Sequence, residues 1–292
     1  MTDLLQLLIA GLATGAIYAL AAIGFTLLWQ TSQTINFAQG EFVMVPAFFA
    51  LAAMRLLGLP FLAALVLAIL LSMLLLGVVF RYAVVGPLIQ RGVLPLVIST
   101  IALSILLKEP VKDFYSAEAL PFPPLLPDAP VSFAGVVVSQ AQLGVLAVAL
   151  LVIVLLQWFL AGTRTGRQMQ ATAQNPSVAL ILGVPVQRMI LYTFLINAAL
   201  AAVASLLISP IYLAKFSNGE TLGLVAFVAA IVGGFNQVRG AIAGGLLIGV
   251  LDNLAAAYLS TAYRQAIPLV LLVLIILFRP QGLLGRREER SV

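Results

Sequence analysis

An all-α, polytopic bundle of membrane-spanning helices is the fold class this sequence predicts, and three observations predict it. Of 292 residues, 63% are hydrophobic and 9% charged, with a mean hydropathy of +1.16. An ordinary soluble domain carries roughly a quarter charged residues, and one this poor in charge could not cover its surface in water. Apolar runs of bilayer-crossing length, about 20 residues, recur from end to end. Finally, the chain contains neither Cys nor His. Thiolate metal sites, disulfides and the usual proton shuttle near neutral pH are thereby excluded, and no metal or cofactor is expected. Net charge is +5. In a soluble protein that would suggest nucleic acid; here basic loops on one membrane face account for it, and no nucleic-acid partner is expected.

The runs fall at 4–29, 35–54, 60–80, 94–107, 142–160, 190–211, 222–235, 241–258 and 266–279. The first follows Met1-Thr2-Asp3 without a basic flank or a small-residue cleavage site, so it reads as a retained span and not a signal peptide. Runs 94–107 and 222–235 are short for a straight crossing and read as tilted, extended by neighbours or re-entrant. The expectation is one transmembrane domain over 1–292, with eight or nine spans and no internal repeat. Segment 108–141 carries Pro110, Pro121, Pro123, Pro124, Pro127 and Pro130, against a continuous helix there. Trp29 and Trp158 sit near span ends, as interfacial anchors do.

If the runs alternate, Arg81, Arg91, Arg164, Arg167, Arg188, Arg239, Arg279, Arg286, Arg287 and Arg290 share one face. Arg55, Lys108, Lys112, Lys215 and Arg264 share the other. The richer face is cytoplasmic by the positive-inside bias. This places 108–141 outside and 162–189 with the C-terminus inside.

The cytoplasmic segment holds two short helices. One covers Arg167–Gln174. The second starts at Asn175 as N-cap with Pro176 in its first position, and stops at Gly183. Val178, Leu180, Ile181 and Leu182 make it apolar. Such a helix buries that face either on its own membrane domain or on a cytoplasmic partner. Asn36, Gln39 and Glu41 open the second span. A carboxylate in hydrocarbon costs a few kcal/mol, so Glu41 faces the bundle interior, a partner or water. Asn36 and Glu41 read either as caps for free helix N–H groups or as pathway and gating groups. Gly233, Gly234, Gly244, Gly245 and Gly249 read as sites of close helix packing. The three lysines, Lys108, Lys112 and Lys215, each follow a residue other than Gly, so no P-loop lysine is available for ATP. No catalytic set can be assembled, and the chain reads as a non-enzyme.

The 162–185 segment resembles the ATPase-coupling loop of an ABC importer membrane subunit. More narrowly, the chain resembles the branched-chain amino acid permease family, the membrane subunit of high-affinity leucine/isoleucine/valine importers. The resemblance is carried by Gly15-Ala-Ile-Tyr-Ala-Leu-Ala-Ala-Ile-Gly-Phe-Thr26, Ile35-Asn-Phe-Ala-Gln-Gly-Glu41, Leu182-Gly183-Val184 with Ala171 and Ala173 upstream, Val232-Gly-Gly234 and Arg279-Pro-Gln-Gly-Leu-Leu-Gly285. It implies a homologous second permease, two cytoplasmic ABC ATPase subunits, a periplasmic substrate-binding protein and a place in a bacterial inner membrane. Coupling would fall to Arg167, Ala171, Ala173, Asn175, Pro176, Leu180, Ile181 and Gly183. Gln39 departs from the His common in the family, and amide cannot titrate. The resemblance also admits importers of urea, amides or aromatic acids. From the residues alone, a secondary transporter using Glu41 or Asp252 and a passive channel stay open.

Overall fold

The computed structural model describes residues 2–33, 35–115, 118–133, 136–260, 264 and 266–285. Arg286, Arg287 and Arg290, which enter the charge argument, lie outside them. The described residues form α1 (Thr2–Ser32), α2 (Gln39–Leu56), α3 (Phe61–Leu88), α4 (Val93–Tyr115), strands β1 (Pro130–Phe133) and β2 (Val136–Ser139), α5 (Gln140–Gly162), α6 (Arg164–Gln174), α7 (Pro176–Ile181), α8 (Val186–Tyr212), α9 (Asn218–Gly233), α10 (Val238–Tyr258) and α11 (Ala266–Phe278). Within α3, Met73–Val85 widens into a π-helical stretch. Seven helices, α1 to α5, α8 and α10, are long and apolar enough to cross a membrane; α9 and α11 are shorter apolar helices. The protein is a multi-pass, all-α membrane protein whose β-structure among the described residues is one antiparallel hairpin, Pro130↔Ser139 to Phe133↔Val136, and an isolated bridge, Leu120↔Ala214.

Two expectations need correction. The fourth run does not end at 107: α4 continues through Pro110 to Tyr115, so Lys108 and Lys112 lie on a helix. The proline removes one backbone hydrogen bond to the Leu106 carbonyl, on a helix whose apolar window is only 11% buried, where little packing opposes the adjustment. The irregular, proline-rich part is 118–129.

The second correction is that the chain does contain an internal repeat. Phe37-Ala-Gln-Gly-Glu41 matches Phe216-Ser-Asn-Gly-Glu220, and Leu27-Leu28, Ala22 and Ala47-Phe48 match Leu206-Leu207, Ala201 and Ala226-Phe227 at the same spacing. Thus α1–α2 corresponds to α8–α9, and contacts show the two units inverted. Phe25 and Trp29 of α1 stack on Phe227 and Phe235 at and beyond α9, so these helices run the same way. Along α2, Gln39 bonds Asn197 and the Ala47 N–H bonds Ser205, so α2 runs with α8. Each unit leaves its long helix through a left-handed residue that is not glycine, Gln33 (φ 50°) and Leu213 (φ 64°).

Both second helices start deep in the bundle. Gln39 sits against Gly24, eight residues before the end of α1, a depth of about 12 Å at 1.5 Å per residue. Its partner Asn197 lies fifteen residues before the end of α8, about 22 Å from that side. The α9 start meets the α2 start at Gly40, where a Cβ would stand 2.0 Å from the Gly219 carbonyl oxygen.

Glycine seams weld the remaining core. A Cβ on Gly249 would lie 2.2 Å from Gly15 Cα, and one on Gly245 2.5 Å from Ala19 Cα, so α1 and α10 touch backbone to backbone. Gly233 meets Gly240, and Gly244 meets the Ala229 carbonyl, joining α9 to α10. At Gly234 (φ +119°) the chain turns beside Gly282 and Gly285, and the Leu283 and Leu284 N–H groups donate to the Val232 and Gly233 carbonyls.

Candidate functional site

Where the two half-helices meet, uncharged polar groups fill the interior. The Gln39 Nε2 donates to Asn197 Oδ1 (2.7 Å) while Asn197 Nδ2 donates back to Gln39 Oε1 (3.1 Å). Both side chains are fully enclosed. Gly24 makes room: a Cβ there would meet Asn197 Oδ1 at 2.0 Å. Asn36 Oδ1 accepts from the Ala38 N–H (3.0 Å), and its Nδ2 points to Gln39 Oε1 (3.4 Å). The N-cap residue of α2 is Ala38, which has no capping side chain, so Asn36 braces the approach to the helix and Gln39 together.

Glu41, two residues further along α2, is 2% exposed. Its Oε1 packs beside Gly219, and Ser104 of α4 faces the carboxylate. Lys108, one turn beyond Ser104, pairs with Glu220 of α9. Asn36, Gln39 and Glu41 are therefore brought together with Asn197, Ser104, Lys108 and Glu220, none of which stood out in the sequence. A single Asn inside the 190–211 apolar run was the available signal. The glycines lie elsewhere, on the seams.

The coupling candidates form a separate group at the opposite end of α8 from Tyr212. The Thr163 hydroxyl caps α6, accepting from the Gly166 N–H (2.9 Å). A Cβ on Gly166 would lie 2.1 Å from the Phe159 carbonyl, so α6 folds tightly back on α5 and starts at Arg164, earlier than expected. Arg167 donates to the Gly162 carbonyl, and Ala171 and Ala173 are half-buried. Asn175 Oδ1 accepts from the Val178 N–H (3.0 Å) with Pro176 at the first position of α7, and Gly183 closes the turn at φ +80°. Ala179 is the buried residue of α7; Leu180, Ile181 and Leu182 are 64%, 84% and 75% exposed. The same end carries Arg81, which donates to Gln187 (2.7 Å), and a cleft of about 600 Å³ between Trp29, Gln30, Gln170, Gln174 and Arg239.

Asp252, the other buried carboxylate among the described residues, is held by Arg264 through two bonds of 2.7 and 2.9 Å and by the Tyr18 hydroxyl. Arg264 also donates to the Tyr212 hydroxyl. Hydrogen bonding to Asp252 pushes the Arg264 pKa above its ordinary range, and the cluster ties α10 to α8 and α1.

Residues 7–276 match the family described as branched-chain amino acid transport system / permease component. The chain belongs to that family. Among its relatives, the high-affinity branched-chain amino acid transport system permease protein BraD of Pseudomonas aeruginosa is 35% identical over 99% of this chain and 98% of its own length. The corresponding protein LivH of Escherichia coli K12 is 33% identical over 99% and 97%. No solved structure matches the chain. The permease is thus a membrane transport component, and the inverted half-helices and the α6–α7 element are parts of a permease scaffold.

Proposed function

We propose that this permease is the translocation subunit of an ABC importer that carries branched-chain or related amino acids across a bacterial inner membrane. In this reading a periplasmic binding protein delivers the cargo at the hairpin end, and a homologous second permease completes the pathway. Two ATPase subunits drive it from the α6–α7 end, which is cytoplasmic and holds the C-terminus. The relatives named for branched-chain amino acid transport, matched over nearly their full length, support the cargo class. The arginines near the α6–α7 end support the orientation.

The observation that carries the reading is α7 itself. It is a helix with a side-chain cap at one end and a left-handed glycine at the other, presenting Leu180 and Ile181 outward. A rigid apolar surface at the aqueous end of a membrane protein is a docking surface in want of a partner, and a groove on an ATPase subunit fits it. The test is the Leu180→Asp, Ile181→Asp double variant, checked first for membrane insertion. Burying two unpaired carboxylates in the contact is strongly unfavourable. Uptake falls at least tenfold and ATP hydrolysis no longer responds to the loaded binding protein. Wild-type uptake by a properly inserted double variant defeats the docking role.

The same scaffold fitted to urea, amides or aromatic acids would keep these partners and change only the cargo; an uptake panel in the reconstituted complex separates them. The double hydrogen bond between Asp252 and Arg264 disfavours Asp252 as the ion site of a secondary transporter.

A further inference from the structure

The Lys108–Glu220 pair stands at the depth where the two half-helices begin, yet it opens to the outside of the chain: the side chains are 20% and 65% exposed. A charge held at that depth against lipid is costly by several kcal/mol, so this face of α4 and α9 is turned to water or to another polar surface. The Lys108 ammonium lies within electrostatic reach of Glu41 as well. One ammonium therefore stands between two carboxylates that occupy equivalent places in the inverted units. The aromatic residue from one of these equivalent places flanks it, and its counterpart in the other unit lies further along α4. The Lys108 ammonium is 5.6 Å from the Phe216 ring centroid. Phe37, 46% exposed, is joined to the same helix by its N–H bond to Thr100, eight residues before Lys108 and so about 12 Å along α4.

We propose that this cluster binds the zwitterionic head of an α-amino acid in transit. Lys108 takes the carboxylate, Glu220 takes the ammonium, and Phe37 and Phe216 form walls for an aliphatic side chain. Charge-assisted bonds of this kind are about twice as strong as neutral ones and are set by geometry. To admit the head group the pair parts by its size, and Glu41 keeps a second carboxylate close to Lys108. The inference rests on the amino-acid import proposed above.

The experiment uses the complete reconstituted complex. Absence of leucine, isoleucine and valine uptake by the wild-type complex defeats the import reading and the inference together. With wild-type uptake established, Lys108→Met and Glu220→Leu, singly and together, each lower leucine uptake at least tenfold while ATP hydrolysis still rises with loaded binding protein. The charge exchange Lys108→Glu, Glu220→Lys does not recover uptake, because it would hold an L-amino acid with its side chain turned from Phe37 and Phe216. Normal uptake in the apolar double variant, or recovery by the exchange, marks the pair as a mere latch between helices and overturns the site alone. A second measurement leaves both charges in place. The chain has no cysteine, so Thr221→Cys, at an exposed position next to Glu220, is a single reporter for a water-soluble methanethiosulfonate. Leucine slows its labelling during transport, and 3-methylbutylamine and 4-methylpentanoate, each lacking one charge, do not. No labelling, no protection, or equal protection by all three compounds overturns the site.

Discussion

The Gln39–Asn197 amide pair offers a quantitative test of how the two inverted units are held together. Asn197→Leu, near in shape, removes both reciprocal bonds and leaves the Gln39 Nε2 without its 2.7 Å acceptor in a fully enclosed place. An unsatisfied buried amide costs about 1–3 kcal/mol. Gln39→Met does the same to Asn197. With both replaced, the reciprocal pair strands neither partner, and the remaining loss includes the long 3.4 Å contact from Asn36 Nδ2 to Gln39 Oε1, so matched apolar side chains offset only part of the two single losses. Interhelical hydrogen bonds in membranes average about 0.6 kcal/mol and reach about 1.7 in double-mutant cycles. Two bonds in one dry pocket place the expected coupling at the upper end, about 1.5 kcal/mol. The assay is equilibrium unfolding of the purified permease in mixed micelles for the four species of the cycle. Single variants lose about 2 kcal/mol each, and the double variant loses less than their sum. Additive losses within about 0.3 kcal/mol would refute the reasoning, since they would mean that the two amides do not depend on each other.

Three further outcomes follow from the geometry. Gly249→Val must part α1 from α10, because its Cβ would fall 2.2 Å from Gly15 Cα; overpacking costs about 1–3 kcal/mol where side chains can yield, and backbone cannot, so the yield of folded permease collapses in a size-exclusion assay. Leu213→Gly relieves a backbone geometry strained by about 1–3 kcal/mol in a non-glycine residue and, after the added unfolded-chain entropy, raises unfolding stability by about 1 kcal/mol. In the cysteine-free chain, Gln170→Cys reacts with an impermeant thiol reagent from the cytoplasmic side alone and Pro123→Cys from the external side alone; the reverse pattern inverts the assigned orientation.

Much of the structure was legible because local rules decide it. Asn175-Pro176 and Gly183 bound α7 by capping chemistry that depends on a few adjacent residues, and the exposed Leu180 and Ile181 follow from its shortness. The apolar runs located every long helix. What escaped was depth. Run 35–54 is long enough to cross a membrane by itself, and nothing in its composition says that α2 begins about 12 Å inside the end of α1. That fact lives in contacts of Gln39 with Gly24 and Asn197, far apart in sequence. Pro110 and four charges clustered at 108–113 read as a loop; the helix persists because Glu109, Lys112 and Asp113 are exposed and Lys108 is paired with Glu220. The repeat escaped for a related reason. Its two copies share only short identities, since one second helix packs beside α8 and the other beside α1, and different neighbours demand different side chains.

The junction from α7 into α8 gives the two hydrogen bonds along α2 a mechanical meaning. The Val184 N–H reaches back to the Ala179 carbonyl at 2.9 Å, and α8 begins two residues later, so α7 and α8 are joined by a short, tied elbow. Asn197 and Ser205 then grip Gln39 and Ala47 at the same separation along both helices. In the proposed coupling role, a stroke entering at α7 would travel along α8 as along a rod and reach α2 one for one. A slip of a full turn, about 5.4 Å, would have to break both grips at once. The glycine seam between α1 and α10 supplies the stationary frame against which such a rod works, since helices in backbone contact have no slack to follow it.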